Sequence, residues 1–266
     1  MKCVKVKDGK NCTPVIKHRR GDLSVTSIGT AHIGESDYYK GIQARLDRLP
    51  VGFYEGVGDI VNEDNIPADK RKYIEDFDKL MNAYDGIAGY IGLDSQKLDY
   101  PDFWKNPDMG LEELIVKAPE SFFKNASKME SMMESLGGLH ETNPAELAGV
   151  MKKIMKCLDT VPYLRGAASV LTGGLKYNGV ILEERNQMLF DALGSEIGRP
   201  SADEIGIVYG AAHMDGVDKF LRKNDFKREG IEWIPAWDLN TDVPFWSSLK
   251  VVMNYLKEQK KNVVAE

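Results

Sequence analysis

A chain of 266 residues, 42% hydrophobic and 29% charged, is long enough to bury a core without disulfide staples and has ordinary globular usage. Its formal net charge of −6 speaks against nucleic acid and anionic membranes, which call for a basic stripe. Three cysteines, Cys3, Cys12 and Cys157, make neither a disulfide framework nor a zinc pair and read as thiols in a reducing compartment.

Residues 2–7 alternate between apolar and charged, so they read as a strand and not as a signal-peptide core. Asp8-Gly9-Lys10-Asn11 is a turn, and residues 13–18 complete a hairpin. Here His18, beside Arg19 and Arg20, reads as solvated surface. Residues 23–28 form a third strand ending at Gly29. Residues 37–49 carry helix periodicity, with Ile42, Leu46 and Leu49 on one face. Val51 to Tyr54 is a short apolar strand that stops at Glu55.

The stretch from about 63 to 193 reads mostly helical, with candidates at 70–81, from 111 and from 179 to 193. Asn143-Pro144 is a helix start, the asparagine as cap and the proline in the first turn, for a helix running to about 158. Residues 204–209 return to strand, 231–234 form the last strand and 246–257 the last helix, with Trp233, Trp237 and Trp246 expected in the core. No run of about 18 apolar residues exists to span a bilayer. The expectation is a single α/β (α+β) domain over 1–266, a central mixed β-sheet flanked by helices with a large helical insertion at 63–193, in the cytoplasm.

Two segments share one shape. Strand residues 24–28 lead into Gly29-Thr30-Ala31-His32, and strand residues 205–209 lead into Gly210-Ala211-Ala212-His213. Glycine lets the chain leave a strand abruptly, and small residues let backbone approach a ligand. Each histidine then lies beyond the carboxyl end of its strand, where open α/β sheets bind ligands. Gly137-Gly138-Leu139-His140 has the same spacing in a different setting: it follows a helix-like stretch, so Gly137 reads as a helix C-cap and His140 as a loop residue. Glu55 ends a third strand, as a third metal ligand or a base. Two imidazoles and a carboxylate are a common catalytic metal set.

Arg185 stands out differently. On a helical projection Ile181, Leu182, Met188, Leu189, Ala192 and Leu193 fill one arc, and Arg185 falls at its centre. A buried arginine is either half of an ion pair or a cation aimed at a substrate carbonyl or at Glu55.

With these motifs in hand, the chain resembles the TraB/PrgY/TIKI family, which includes GumN-like proteins. That family carries two Gly-x-x-His motifs, a glutamate between them and an arginine ahead of the second. The run Glu183-Glu184-Arg185-Asn186-Gln187-Met188 is similar to its arginine-centred helix. Leu93-Asp94-Ser95-Gln96 and Asn106-Pro107-Asp108 are similar to its weaker middle signals. The resemblance spans roughly residues 22–240. It implies a fold of the erythromycin-esterase/ChaN type and, for the TIKI members, divalent-metal protease activity.

The resulting expectation is a divalent-metal-dependent, metalloprotease-like hydrolase of a peptide or other small amide or ester. His32, Glu55 and His213 hold manganese, cobalt or zinc, Glu55 or Asp108 takes a proton from water, and Arg185 stabilises an oxyanion. The alternatives are a metal-free, esterase-type hydrolase, and a non-enzymatic peptide- or heme-binding regulator using the same cleft.

Overall fold

The structure is a computed structural model that describes residues 3–58, 60, 62–120, 122–123, 137, 141, 143–160, 179–242, 244, 246, 250 and 253–254. His140, the side chains of Cys157 and Ile181, and nearly all of the helix expected over 246–257 lie outside the described residues.

The fold is mixed α/β, a central mixed sheet flanked by helices. Its strands are β1 (Lys5–Lys7), β2 (Lys10–Arg20), β3 (Leu23–Thr30), β5 (Gly52–Tyr54), β7 (Glu204–Gly210) and β8 (Lys227–Asp238). A separate two-stranded pair is made of β4 (Ile33–Gly34) and β6 (Asp94–Ser95). The helices are α1 (Ser36–Leu46), α2 (Lys72–Tyr90), α3 (Leu111–Lys117), α4 (Pro144–Thr160), α5 (Arg185–Gly198) and α6 (Met214–Lys223).

The hairpin predicted at the start exists, and β2 is its long arm. It pairs antiparallel with β1 and β3, and with β8 over Lys10 to Arg19. Beyond β3 the ladder turns parallel: β3 pairs with β7, and β7 with β5. The register sets the site. Thr30 lies opposite Gly210 and Tyr54 opposite Val208, so three parallel strands end at nearly one level.

Strand alternation divides the sheet between two apolar layers. Ile28 and Val208 face one layer, completed by Tyr38, Tyr39, Ile42 and Leu46 of α1 and Ala88 of α2. Val25, Phe53, Ile207 and Tyr209 face the other, under Leu189, Leu193 and Ile197 of α5 and Met214, Val217 and Leu221 of α6. A smaller cluster around Ile66, Tyr73, Met109, Leu114 and Phe123 lies within the insertion. Among the described residues no helix is long and apolar enough to cross a membrane.

The structure corrects several expectations. His18 is not solvated surface: it is fully buried, with Nε2 2.9 Å from Asp218 Oδ1. Its neighbours Arg19 and Arg20 are charged, but Pro14, Ile16 and His18 share the inward face of β2, and that alternation outweighs the local charge. Trp237 is buried as expected, whereas Trp233 is half-buried and Trp246 is 78% exposed. The helix expected over 179–193 begins as a π-helical turn at Gly179–Glu184, and regular α-helix starts only at Arg185. The insertion, expected to be mostly helical, also carries the two-residue strand β6, which returns to pair with β4.

Candidate active site

Helix α1 fixes the first motif from below. Tyr38 Oη accepts from the Ala31 amide at 3.0 Å, and Tyr39 Oη donates to the Ala31 carbonyl at 3.0 Å. The backbone at Ala31 is thus clamped on both sides, and His32 is presented exposed just beyond it. The His32 carbonyl accepts from the Gln96 amide at 2.8 Å, which extends the β4–β6 pairing. Gln96 therefore joins the site through its backbone; its side chain turns to Tyr100.

Glu55 follows β5, and its amide bonds the Val208 carbonyl at 2.9 Å, continuing the parallel ladder by one step. Its carboxylate is the hub. Oε1 accepts from Arg185 Nη2 at 2.7 Å and lies 3.4 Å from His213 Nε2; Oε2 accepts from the Gly210 amide. A Cβ on Gly210 would sit 2.9 Å from Glu55 Oε2 and 3.3 Å from His32 Nε2. Glycine is required there because the site closes over the backbone. Burial on its own would raise the Glu55 carboxyl, but His213, Arg185 and His32 hold it well below the usual carboxylate range.

Arg185 opens α5 directly after the π-helical turn, a distortion frequent at functional sites. The sequence left it as half of an ion pair or as a cation aimed at Glu55, and the geometry combines the two. Nε donates to Asp108 Oδ1 at 2.7 Å, and Nη2 donates to Asp108 Oδ2 at 2.5 Å as well as to Glu55. Burial would lower the guanidinium, yet the two carboxylates raise it further and lock its charge. Nη1 has no acceptor among the described residues.

The Asp108 side chain is fully buried, and its oxygens are spent on Arg185, the Gly56 amide and the Met109 amide. Asn106 prepares this turn: its Oδ1 accepts from the Asp108 amide and its Nδ2 donates to the Gly56 carbonyl. Asp108 is thus placed as an anchor for Arg185, with no face open to a water.

His213 ends a short 3₁₀ turn after β7 and is buried. Its Nδ1 lies 2.8 Å from Asn186 Oδ1. Both ring nitrogens thus face oxygen acceptors, Nδ1 that of Asn186 and Nε2 that of Glu55, and a protonated ring donates to both. Sequence reasoning had Asn186 only as Arg185's neighbour in a motif; one helical turn carries both the cation and the histidine's orienting partner. Tyr209 was passed over too, although it directly precedes Gly210. The structure therefore brings His32, Glu55, Asp108, Arg185 and His213 together at the carboxyl ends of β3, β5 and β7.

Two imidazoles and a carboxylate are suitable donors for a divalent ion, and a histidine oriented through its other nitrogen is the usual supporting arrangement. His213 Nε2 and Glu55 Oε1 stand 3.4 Å apart, bridged by a proton when the ring is protonated and open to a shared cation when Nε2 is bare. Among the described residues, however, no three His, Cys, Asp or Glu side chains lie close enough in this conformation to hold an ion jointly. His32 is exposed, and its Nε2 edge already lies against Gly210 beside Glu55 Oε2. Comparison with protein families, with curated proteins and with solved structures finds no match to this chain.

Proposed function

We propose that this chain is a hydrolase of peptide or other small amide bonds that works with a divalent metal ion, manganese, cobalt or zinc, at the Glu55 centre. The observation that carries the reading is the approach of His213 Nε2 to Glu55 Oε1 at 3.4 Å, with the imidazole held in place through Nδ1 by Asn186. His32, Glu55 and His213 would hold the ion, which supplies Lewis acidity toward a carbonyl oxygen or a water. Glu55, kept ionised by its cationic neighbours, receives the proton of the attacking water. Arg185 offers Nη1 to the oxyanion of the tetrahedral intermediate, while Asp108 holds the guanidinium in orientation as a positioning residue. Loss of such a donor typically raises a barrier by about 2.7–4 kcal/mol. The resemblance to the TraB/PrgY/TIKI family agrees with this reading, and an erythromycin-esterase/ChaN type of fold belongs to the same proposal.

One observation favours a metal-free second reading: both Glu55 oxygens are already engaged, by Arg185 and by the Gly210 amide. In that case the His213–Glu55 pair takes the proton from water directly, as an esterase-type base.

Elemental analysis and manganese titration of wild type, His32→Ala and His213→Ala, with circular dichroism to verify folding, separate the two. The expected result is bound ion in wild type and background in both variants, with chelation abolishing hydrolysis of a blocked peptide amide. Hydrolysis that survives chelation supports the metal-free reading. Full occupancy in both variants removes the histidines as ligands.

A further inference from the structure

Gly216 stands in the first turn of α6, three residues beyond His213, whose own backbone is already helical. Residues three apart lie on one face of a helix, so the two share a face. The backbone at Gly216 does not call for glycine: among the described residues, the glycines with positive φ are Gly9, Gly21 and Gly92. Within a helix glycine is destabilising relative to alanine. What glycine supplies here is space. A Cβ on Gly216 would lie 2.8 Å from Asn186 Nδ2, 3.3 Å from Asn186 Cγ and 3.4 Å from Phe190 Cζ.

The Asn186 carboxamide is therefore laid against bare backbone, and from there its Oδ1 reaches His213 Nδ1 at 2.8 Å. A ring with its proton on Nδ1 donates to that oxygen, which leaves Nε2 for Glu55 or for an ion. Four residues along each helix, Phe190 of α5 stacks on Phe220 of α6, with ring centroids 4.5 Å apart at 8°. That stack holds the helix pair together. Filling the space at Gly216 is then relieved by turning the carboxamide, and turning it gives up His213.

We propose that Gly216 is a positioning residue: by having no side chain it seats the Asn186 carboxamide, which holds the His213 imidazole toward Glu55. The link to an ion rests on the hydrolase reading; the seating itself does not. No covalent step is involved.

Gly216→Ala, Asn186→Ala and the double variant of the full chain test it, with Asn186→Asp, which keeps an acceptor oxygen, as the conservative change. The first readout is the Nδ1 proton of His213 in proton–nitrogen spectra of the histidine side chains, assigned by its loss in His213→Gln. A signal protected from solvent exchange is expected in wild type and Asn186→Asp, and its loss in Gly216→Ala and Asn186→Ala. The second readout is manganese affinity. It is expected to fall on the order of 10–100-fold in Gly216→Ala and in Asn186→Ala. In the double variant it falls no further than in Asn186→Ala alone, because the added methyl meets vacated space. Should Gly216→Ala fail to fold, the double variant is expected to fold for the same reason. A protected ring proton in Gly216→Ala overturns the proposal. So does a double variant whose losses multiply, or one that stays unfolded beside an unfolded Gly216→Ala. A wild type that takes up no manganese removes the metal reading and leaves the seating to the ring proton. Manganese bound equally well by wild type and Gly216→Ala does the reverse.

Discussion

Arg185 is shared between two carboxylates that differ in exposure, 0% for the Asp108 side chain and 10% for that of Glu55. Water can replace the guanidinium around Glu55 but not around Asp108. Removing one partner of a buried pair costs about 3–5 kcal/mol, so Arg185→Met should lose stability in that range in a urea titration, with Asp108→Asn relieving much of the loss. Lysine should recover only part, since a point charge cannot copy the planar fork that grips Asp108 through two nitrogens. A loss below about 1 kcal/mol would show that Asp108 is not held as tightly as its geometry states. Gly210→Ala tests the other side of the hub. The added methyl would meet Glu55 Oε2 and His32 Nε2, and overpacking of this kind costs about 1–3 kcal/mol. It should also displace both site residues and abolish any metal uptake. Gly89→Ala, in α2 with open space around its Cβ position, is the control, expected to gain roughly 0.5–1 kcal/mol. At this scale the sequence was informative where a residue broke a pattern: Arg185 in an apolar arc, glycine closing an apolar strand. It was uninformative about who pairs with whom. Nothing in the spacing of Asp108 and Arg185 announces their contact.

At the scale of elements, α6 ties the site to the middle of the sheet. His213 immediately precedes it, and Asp218, one turn further on, reaches down to His18 on β2. Arg228 Nε of β8 lies 3.4 Å from the same carboxylate, and Arg222 Nη1 3.9 Å. Burial first, and Arg228 and Arg222 after it, lower the His18 pKa against the pull of Asp218. A base with a depressed native pKa stabilises the fold above its unfolded value, near 6.5. That contribution is lost as pH falls below 6.5 and through the native pKa, because the unfolded chain binds the proton first. Urea midpoints of wild type should therefore drop below about pH 6.5, and His18→Gln should flatten that part of the curve. Equal slopes in the two proteins would mean that His18 charges freely inside the fold. The elements that the sequence missed are those with too little chain to carry a period. β4 and β6 are two residues each. The π-helical turn before Arg185 escapes any projection drawn at a constant angle per residue, yet it sets which side chains of α5 face the sheet.

For the whole molecule, the legible part was the layering: apolar strands at both ends of the chain, amphipathic helices between, and polar residues at strand ends. Strand order was not legible. That β7 inserts between β3 and β5 follows from long-range packing and not from any local signal. Yet this insertion is what makes His32, Glu55 and His213 neighbours.

The same insertion has a consequence for the chain as it is made. β3 is synthesised early and finds β2 at once, but its other edge must wait for β7, since Gly29 pairs with Tyr209. At about 5–20 residues per second, that edge is bare for on the order of ten seconds or more. β2 waits still longer for β8. An unpaired, β-branched edge is a template for pairing with another chain. A truncation ending at residue 200 should accordingly aggregate or be retained by chaperones, whereas one ending after β8 stays in solution. Equal solubility of the two would mean that the helices of the insertion already shield the edge of β3 while the nascent chain is still growing.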